Sequence, residues 1–190
     1  MPKKLFDSKK HNHIPWLKLL VEAGLVVLSV LLALILNNWR QDQINNDLAQ
    51  KAVQNLQREI KENKAEVERA YKYHLNLLQK FSSKNPPTGI ETKDAIIQNN
   101  AWNTAQSMGA IPYIDFSIVA IASSIQETQR QYQNVESVTN AIMLLGNFGA
   151  GGENFPMKRL PKGLNWILQE LTSIEKILLK QYEKALKMIG

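Results

Sequence analysis

The sequence predicts an all-α protein in which an N-terminal transmembrane helix continues into a long helix, and that helix packs in an antiparallel bundle of about four helices. Three observations predict this fold class. A long apolar run ends at Trp39, apolar residues in the later segments recur at three, four or seven residues, and after Gly24 prolines and glycines fall between or at the ends of those segments. The 190 residues include no cysteine, which excludes disulfides, thiol catalysis and thiolate metal sites.

The first element is the apolar run VEAGLVVLSVLLALILNNWR at residues 21–40, whose part from 23 to 36 carries no charge. A helix from Trp16 to Trp39 rises by about 35 Å, which matches the hydrocarbon core of a bilayer with a little interface on each side. Tryptophans favour those two interfaces. The run is therefore predicted to be a transmembrane helix.

A few polar and small residues in this helix are predicted to make its contacts. Glu22 lies less than two turns inside the first boundary, where its carboxylate reaches the headgroups, and Lys18 stands one turn earlier on the same face. Ser29 and Ala33 form a small-x-x-x-small pair that supports helix association, and a polar group on a partner helix is an alternative contact for Glu22. The residues predicted for the anchor and its lateral contacts are Trp16, Lys18, Glu22, Ser29, Ala33 and Trp39.

Two other interpretations of the apolar run fit the residues less well. A buried helix of a soluble protein rarely shows Leu, Val and Ile on every face after five lysines. A cleaved signal peptide needs a small-x-small site, which LILNNWRQ does not offer. Because the lysines precede the span, while RQDQINNDLAQ after it holds one arginine and two aspartates, the N-terminus is predicted to be cytoplasmic. The predicted division is a cytoplasmic basic tail at 1–18, a signal anchor in the bacterial inner membrane at 19–38, and a periplasmic helical bundle domain at 39–190.

The second element continues from the anchor, and the absence of proline and glycine from residue 25 to residue 85 predicts one unbroken helix to about Phe81. Its apolar stripe is interrupted by Asn63. Packing against later helices of the same chain is favoured, and a homodimeric coiled coil stays an alternative. The stripe consists of Leu48, Ala52, Leu56, Ile60, Val67, Tyr71, Leu75 and Leu78.

Three further helices are predicted at 91–108, 113–145 and 162–188. Gly109 is placed to end the first of them, and Pro112 is placed in the first turn of the next. The residues predicted to face the core are Ile96, Ile97, Ala101, Trp102 and Ala105; then Phe116, Val119, Ala120, Ser123, Tyr132, Val135, Val138 and Ile142; then Leu164, Ile167, Leu168, Leu171, Ile174, Ile177, Leu178, Tyr182 and Leu186.

Several patterns look like chemical motifs and are better explained by structure. The HNH letters at 11–13 lie in the basic tail, whereas HNH nucleases take those residues from well-separated places in another fold. The glycines at 146–152 lack the preceding strand and the Gly-Lys-Ser/Thr of a phosphate loop. His74 has no ligating residue four positions away, so it is predicted to be an isolated surface or boundary residue. The glutamates between 59 and 68 alternate with lysines and arginines, as on a solvated helix face.

These observations predict no catalytic residue, cofactor or metal site, and the protein is not expected to be an enzyme. Trp102 and Trp166 are predicted to lie in the core rather than in a ligand pocket. Of the net charge of +6, the first eighteen residues supply +4. The folded part therefore lacks the basic patch of a nucleic-acid-binding protein.

The residues Glu22 and ALILNNWR at 33–40 resemble the N-terminus of an uncharacterised bacterial family of single-pass proteins. A second similarity is Ala-Trp at 101–102, followed by Gly109 and a later helix that carries Tyr132. The resemblance implies an inner-membrane protein with a helical extracytoplasmic domain of unknown function. It transfers no functional residue.

The expected function is binding, most readily of other envelope proteins or of a second copy, by a domain that its anchor confines to the membrane surface. A periplasmic bundle that senses a small ligand is the alternative. An irregular connection is predicted at 146–161, and its segment from Asn147 to Arg159 is the expected partner-binding loop. Its contact residues are predicted to be Asn147, Phe148, Glu153, Phe155 and Arg159.

Overall fold

The structure is a computed structural model of the chain, which describes residues 16–81, 93–149 and 160–190. The described part contains four α-helices and no strand, so the predicted all-α fold is confirmed. In chain order they are α1 (Trp16–Phe81), α2 (Asn100–Ser107), α3 (Phe116–Gly149) and α4 (Leu160–Ile189), with a short 3₁₀ turn at Ile111–Tyr113 before α3.

The chain divides into two units, Met1–Ile44 and Asn45–Gly190. Helix α1 is unbroken from Trp16 to Phe81, as predicted. Within the second unit, α1 packs together with α3 and α4 around one main core, and α2 and the 3₁₀ turn cover a smaller apolar cluster. The predicted helical bundle is confirmed there, and α1 belongs to it.

The face of α1 that is buried in the second unit follows a seven-residue repeat. Ala49, Leu56, Asn63, Ala70 and Leu77 are all buried. This spacing keeps one seam of a helix against its neighbours over many turns. A polar residue, Asn63, therefore sits on the buried seam instead of interrupting it.

The apolar stripe predicted for α1 is confirmed between residues 52 and 67 and is wrong beyond that point. Ala70, His74 and Leu77 are buried, whereas Leu75 is 38% exposed. The prediction shifted by one residue because it followed the apolar side chains Tyr71, Leu75 and Leu78 and passed over a histidine on the seam.

The helix predicted at 91–108 is only eight residues long in the structure, at Asn100–Ser107, and residues 93–99 have no regular secondary structure. These residues make hydrogen bonds to side chains of neighbouring helices in place of a helical ladder. Asn63 Nδ2 donates to Gln98 O at 2.8 Å, and Gln98 N donates to Asn63 Oδ1 at 2.9 Å. This pairing satisfies both backbone groups of Gln98.

The end of α2 is confirmed at Gly109, which has a φ of +68°. The amide of Gly109 donates to Gln106 O at 3.1 Å, and the amide of Ala110 donates to Ala105 O at 2.9 Å. These two bonds form a Schellman turn, and glycine is favoured there because it has no Cβ. Pro112 lies in the first turn of the 3₁₀ element that precedes α3, so the prediction that it lies in the first turn of α3 is wrong.

The buried face of α3 agrees with the predicted one only in part. Tyr132 is buried as predicted and Val135 packs against the same core, whereas Phe116 is 83% exposed and Val138 is 51% exposed. Ile121, Ile125, Gln129 and Thr139 are also buried on this face. For α4 the prediction is largely confirmed, since Ile167, Leu168, Leu171, Ile174, Leu178 and Tyr182 are buried, although Ile177 is 47% exposed.

Candidate functional site

The residues predicted for the anchor lie on the apolar part of α1. The described chain contains one helix that is long and apolar enough to cross a membrane, and its most apolar window is 0% buried inside the protein. Trp16 and Trp39, which flank the apolar run of this helix, are both exposed. This helix is compatible with a membrane anchor.

Three polar side chains in the apolar part of this helix make contacts within it. Lys18 Nζ lies 3.9 Å from Glu22 Oε1, which confirms that the two residues share a face. Ser29 Oγ donates to Leu25 O at 2.7 Å, so its hydroxyl is satisfied inside the helix. Ala33 is exposed on the helix surface. The lateral contacts predicted for Glu22, Ser29 and Ala33 stay predictions.

The predicted partner-binding loop falls at the junction of α3 and α4. The helix α3 continues through Asn147 and Phe148 to Gly149, so the prediction that the irregular connection begins at 146 is wrong. Glu153, Phe155 and Arg159 lie outside the described residues.

An apolar groove lies between α3 and α4. Its volume is about 250 Å³, and its apolar walls come from Val135, Val138, Trp166 and Ile167. Trp166 is 66% exposed, which corrects the prediction that it lies in the core, whereas Trp102 is buried as predicted. A large exposed aromatic side chain beside apolar neighbours is typical of the anchor residues of protein interfaces.

A second, larger groove lies between α2 and α3 and is polar. Its volume is about 410 Å³. Amide, hydroxyl and charged side chains line it, among them Asn99, Gln106, Ser123, Gln126 and Arg130. Such a surface offers many hydrogen-bond donors and acceptors to a polar ligand.

The core of the second unit holds a cluster of ionisable side chains that no single stretch of sequence reveals. His74 comes from α1 and Glu175 from α4, and the two side chains are 1% and 0% exposed. Nδ1 of His74 lies 2.8 Å from Oε1 of Glu175. Polar side chains at this depth need such a bond, since an unpaired buried polar group is unfavourable.

Two more carboxyl groups belong to this cluster, Asp94 from the 93–99 segment and Glu136 from α3. Burial first, and then the charges of Asp94 and Glu175, raise the pKa of Glu136 to about 7 against the opposing effect of His74. Burial also raises the pKa of Glu175, and its bond to His74 opposes that shift. The net upward shift of the pKa of Glu136 and of Glu175 favours the protonated form of each carboxyl.

The hydrogen bonding in this cluster leaves acceptors in excess. Asn140 Nδ2 donates to Asp94 Oδ2 at 2.8 Å, and the amide of Ala95 donates to the hydroxyl of Tyr132 at 3.1 Å. Within the described chain, the buried oxygens Asp94 Oδ1, Asn140 Oδ1 and Glu175 Oε2 have no donor. A proton on one carboxyl would supply such a donor, because a neutral carboxyl carries an O–H.

Glu136, whose pKa is raised to about 7 mainly by burial, is the carboxyl best suited to hold that proton. The cluster also ties α1, α3 and α4 to the 93–99 segment. Among the described residues no group of histidine and carboxylate side chains is arranged to hold a metal ion. His74 and Glu175 line neither groove described above.

Sequence reasoning missed this cluster, and also the buried Glu59, because each residue was judged from its near neighbours in the chain. His74 was expected to be isolated at the surface, and its partner Glu175 lies 101 residues away. Glu59 was expected on a solvated face, yet it is 8% exposed, and its Oε2 accepts a hydrogen bond from the amide of Ala101 at 2.8 Å. The available signal was the seven-residue register of α1, which places residue 74 one repeat after the buried Val67.

No protein-family model, no curated protein and no solved structure matches the chain. The likeness to a bacterial family of single-pass proteins stays a prediction from the residues.

Proposed function

We propose that the protein is a single-pass protein of a bacterial inner membrane, with a cytoplasmic tail at 1–18, a signal anchor at 19–38 and a periplasmic helical domain at 39–190. The domain binds another protein of the envelope, and its role is binding rather than catalysis. The apolar helix whose surface is left uncovered supports the anchor. The lysines before the span support the orientation.

The observation that carries the binding role is the exposed Trp166 in the α3–α4 groove. Leaving most of a tryptophan in water is unfavourable, and covering it with an apolar side chain of a partner removes that cost. Val138 lies beside it and is 51% exposed, which extends the apolar surface onto α3. Anchoring both proteins to one membrane raises their effective concentration, so a small contact suffices.

A photo-cross-linking amino acid at position 138, in the full-length protein in its own host, tests this role. The matched control is position 177, where Ile177 is 47% exposed on α4 and is not part of the groove. We expect a discrete adduct from position 138 that disappears with Trp166→Ala and is absent from position 177. Adducts of equal yield at both positions, or an adduct that survives Trp166→Ala, would argue against the groove as the binding surface.

Replacing the anchor by an unrelated span in the same experiment separates two kinds of recognition. If the adduct persists, the helical domain recognises the partner alone. If it is lost while the protein stays in the membrane, the lateral face with Glu22, Ser29 and Ala33 contributes as well.

The polar groove between α2 and α3 favours a second candidate function, the sensing of a small polar ligand. Its amide-rich lining and the Arg130 guanidinium suit a ligand with carboxylate or hydroxyl groups. A thermal-shift screen of the full-length protein in detergent against metabolites, repeated with Gln126→Ala, tests it. Stabilisation that is lost in the variant supports sensing, and no stabilisation by any compound leaves protein binding as the function.

A further inference from the structure

The corner between α2 and α3 carries a group of exposed apolar side chains. Met108, Tyr113 and Phe116 lie within nine residues of chain, and they are 57%, 49% and 83% exposed. Exposed apolar surface of this kind marks contacts with proteins or membranes. Phe116 is the first residue of α3 and has the most exposed side chain of the three, as expected of a residue that inserts into a membrane or a partner protein.

The backbone beneath these side chains is fixed. The Schellman turn at Gly109 ends α2, and the next residue, Ala110, is 1% exposed. Ile114 is 8% exposed and belongs to the same apolar cluster as Ala110. Asp115 caps α3, since its Oδ1 accepts a hydrogen bond from the amide of Ser117 at 2.8 Å. Because the backbone on both sides of the corner is fixed by these contacts, the apolar side chains between them are exposed in the folded structure itself.

The corner lies at the end of the second unit where the chain arrives from the apolar helix. It packs against Ala49 and Ala52 of α1. Asn45 is the first residue of this unit, and it follows Trp39, the predicted outer boundary of the span, by six residues of chain, which reach at most about 20 Å. The chain therefore keeps this end of the unit within reach of the bilayer surface.

We propose that this corner is a membrane-contact surface, on which Met108, Tyr113 and Phe116 insert into the interfacial zone of the bilayer that holds the anchor. Aromatic side chains favour that zone because their apolar rings enter the acyl boundary while polar tips stay hydrated. The hydroxyl of Tyr113 and the carboxylate of Asp115 remain at headgroup level. The inference rests on the proposed function, because it requires the apolar helix to span a membrane.

Membrane contact at this corner is compatible with partner binding at the α3–α4 groove. Phe116 and Val138 are 22 residues apart on α3, which separates them by about 33 Å along the helix. The bilayer and a protein partner would therefore use different ends of the helical domain. The corner would restrict the orientation of the domain on the membrane, and the groove would stay accessible.

Fluorescence quenching by nitroxide lipids tests the contact, and a chain without cysteine allows each label to be placed alone. Full-length protein is labelled with a fluorophore at Ser29→Cys, Ser107→Cys or Val138→Cys and placed in phosphatidylcholine nanodiscs, with or without an equal mixture of nitroxide lipids that carry the spin label at the interface or at the middle of the acyl chain. Ser107 is exposed beside Met108, so its label leaves the three apolar side chains intact. We expect strong loss of emission at positions 29 and 107 and little at 138. Adding Phe116→Ser and Tyr113→Ser should restore emission at position 107.

The three labelled positions distinguish a failure of the proposed membrane contact from a failure of the proposed anchor. An unquenched label at position 29 would contradict the proposed anchor. Quenching at 29 without quenching at 107 would overturn the contact surface alone, as would equal quenching at 107 and 138. Quenching at 107 that persists after the two serine substitutions would also overturn it, because the corner would then be close to lipid without inserting. Circular dichroism of the substituted protein verifies that the helices are retained.

Discussion

The substitution Glu136→Gln tests how the ionisation of one carboxyl in the buried cluster affects the stability of the protein. Burial first, and then the charge of Asp94, raise the pKa of Glu136 from 4.5 to about 7. The native state thus binds this proton more tightly than the unfolded chain does. The resulting stability is fully present below the unfolded pKa of 4.5 and is lost as the pH rises through the folded pKa of about 7.

The magnitude follows from the shift. At about 1.4 kcal/mol per pKa unit, the rise from 4.5 to about 7 corresponds to about 3 kcal/mol. Because the side chain of Glu136 is partly exposed, solvent screening reduces this to about 1–2 kcal/mol. For a chain of this size that free energy shifts Tm by about 2–8 °C.

Thermal unfolding of the full-length protein in detergent, followed by circular dichroism, measures the effect. Gln keeps the shape of the protonated side chain and cannot ionise. We expect Glu136→Gln to melt close to the parent at about pH 4 and above it at about pH 8. Glu170→Gln, at an exposed position on α4, is the control and should follow the parent at both pH values. Parallel behaviour of Glu136→Gln and the parent across this range would refute the reasoning.

Three further predictions test the packing. Glu175→Leu should lower the free energy of unfolding by about 3 kcal/mol, because His74 loses its partner, and adding His74→Leu should recover much of this loss. Urea titration of the parent, the two single variants and the double variant measures the coupling, and additive effects of the two substitutions would contradict a coupled pair. Asn63→Ala should cost about 2 kcal/mol and speed amide exchange at Gln98, since two hydrogen bonds are lost; unchanged exchange would contradict it. Gly109→Ala should lower the free energy of unfolding by about 1 kcal/mol in the same titration. The loss comes from the φ of +68° alone, because nothing lies within 4 Å of the added Cβ. Unchanged stability would contradict this prediction.

The long helix, the apolar stretch and the end of α2 could be predicted because each has a local cause. An uninterrupted run without proline or glycine forms one helix, and Gly109 ends α2 because of its own backbone conformation. The inner face of α4 could be predicted as well, since the residues on its buried stripe are mostly apolar.

The faces of α1 and α3 were harder to predict because polar residues occupy buried positions. Asn63, His74 and Gln129 are each at most 2% exposed, and each has its partner on another element. A rule that assigns buried positions to apolar residues therefore shifts the stripe toward exposed neighbours such as Leu75. Pairs like His74 and Glu175 depend on tertiary packing, which residue spacing within one helix does not contain.

The most direct test of the central claim is the accessibility of single cysteines in spheroplasts that produce the full-length protein. Ser8→Cys marks the basic tail, and Glu183→Cys marks an exposed position on α4. An impermeant maleimide should label position 183 in intact spheroplasts and position 8 only after lysis, while the protein stays with the membrane during an alkaline wash. Labelling of position 8 in intact spheroplasts, protection of position 183, or release of the protein by the wash would contradict a single span with the helical domain outside the cytoplasm.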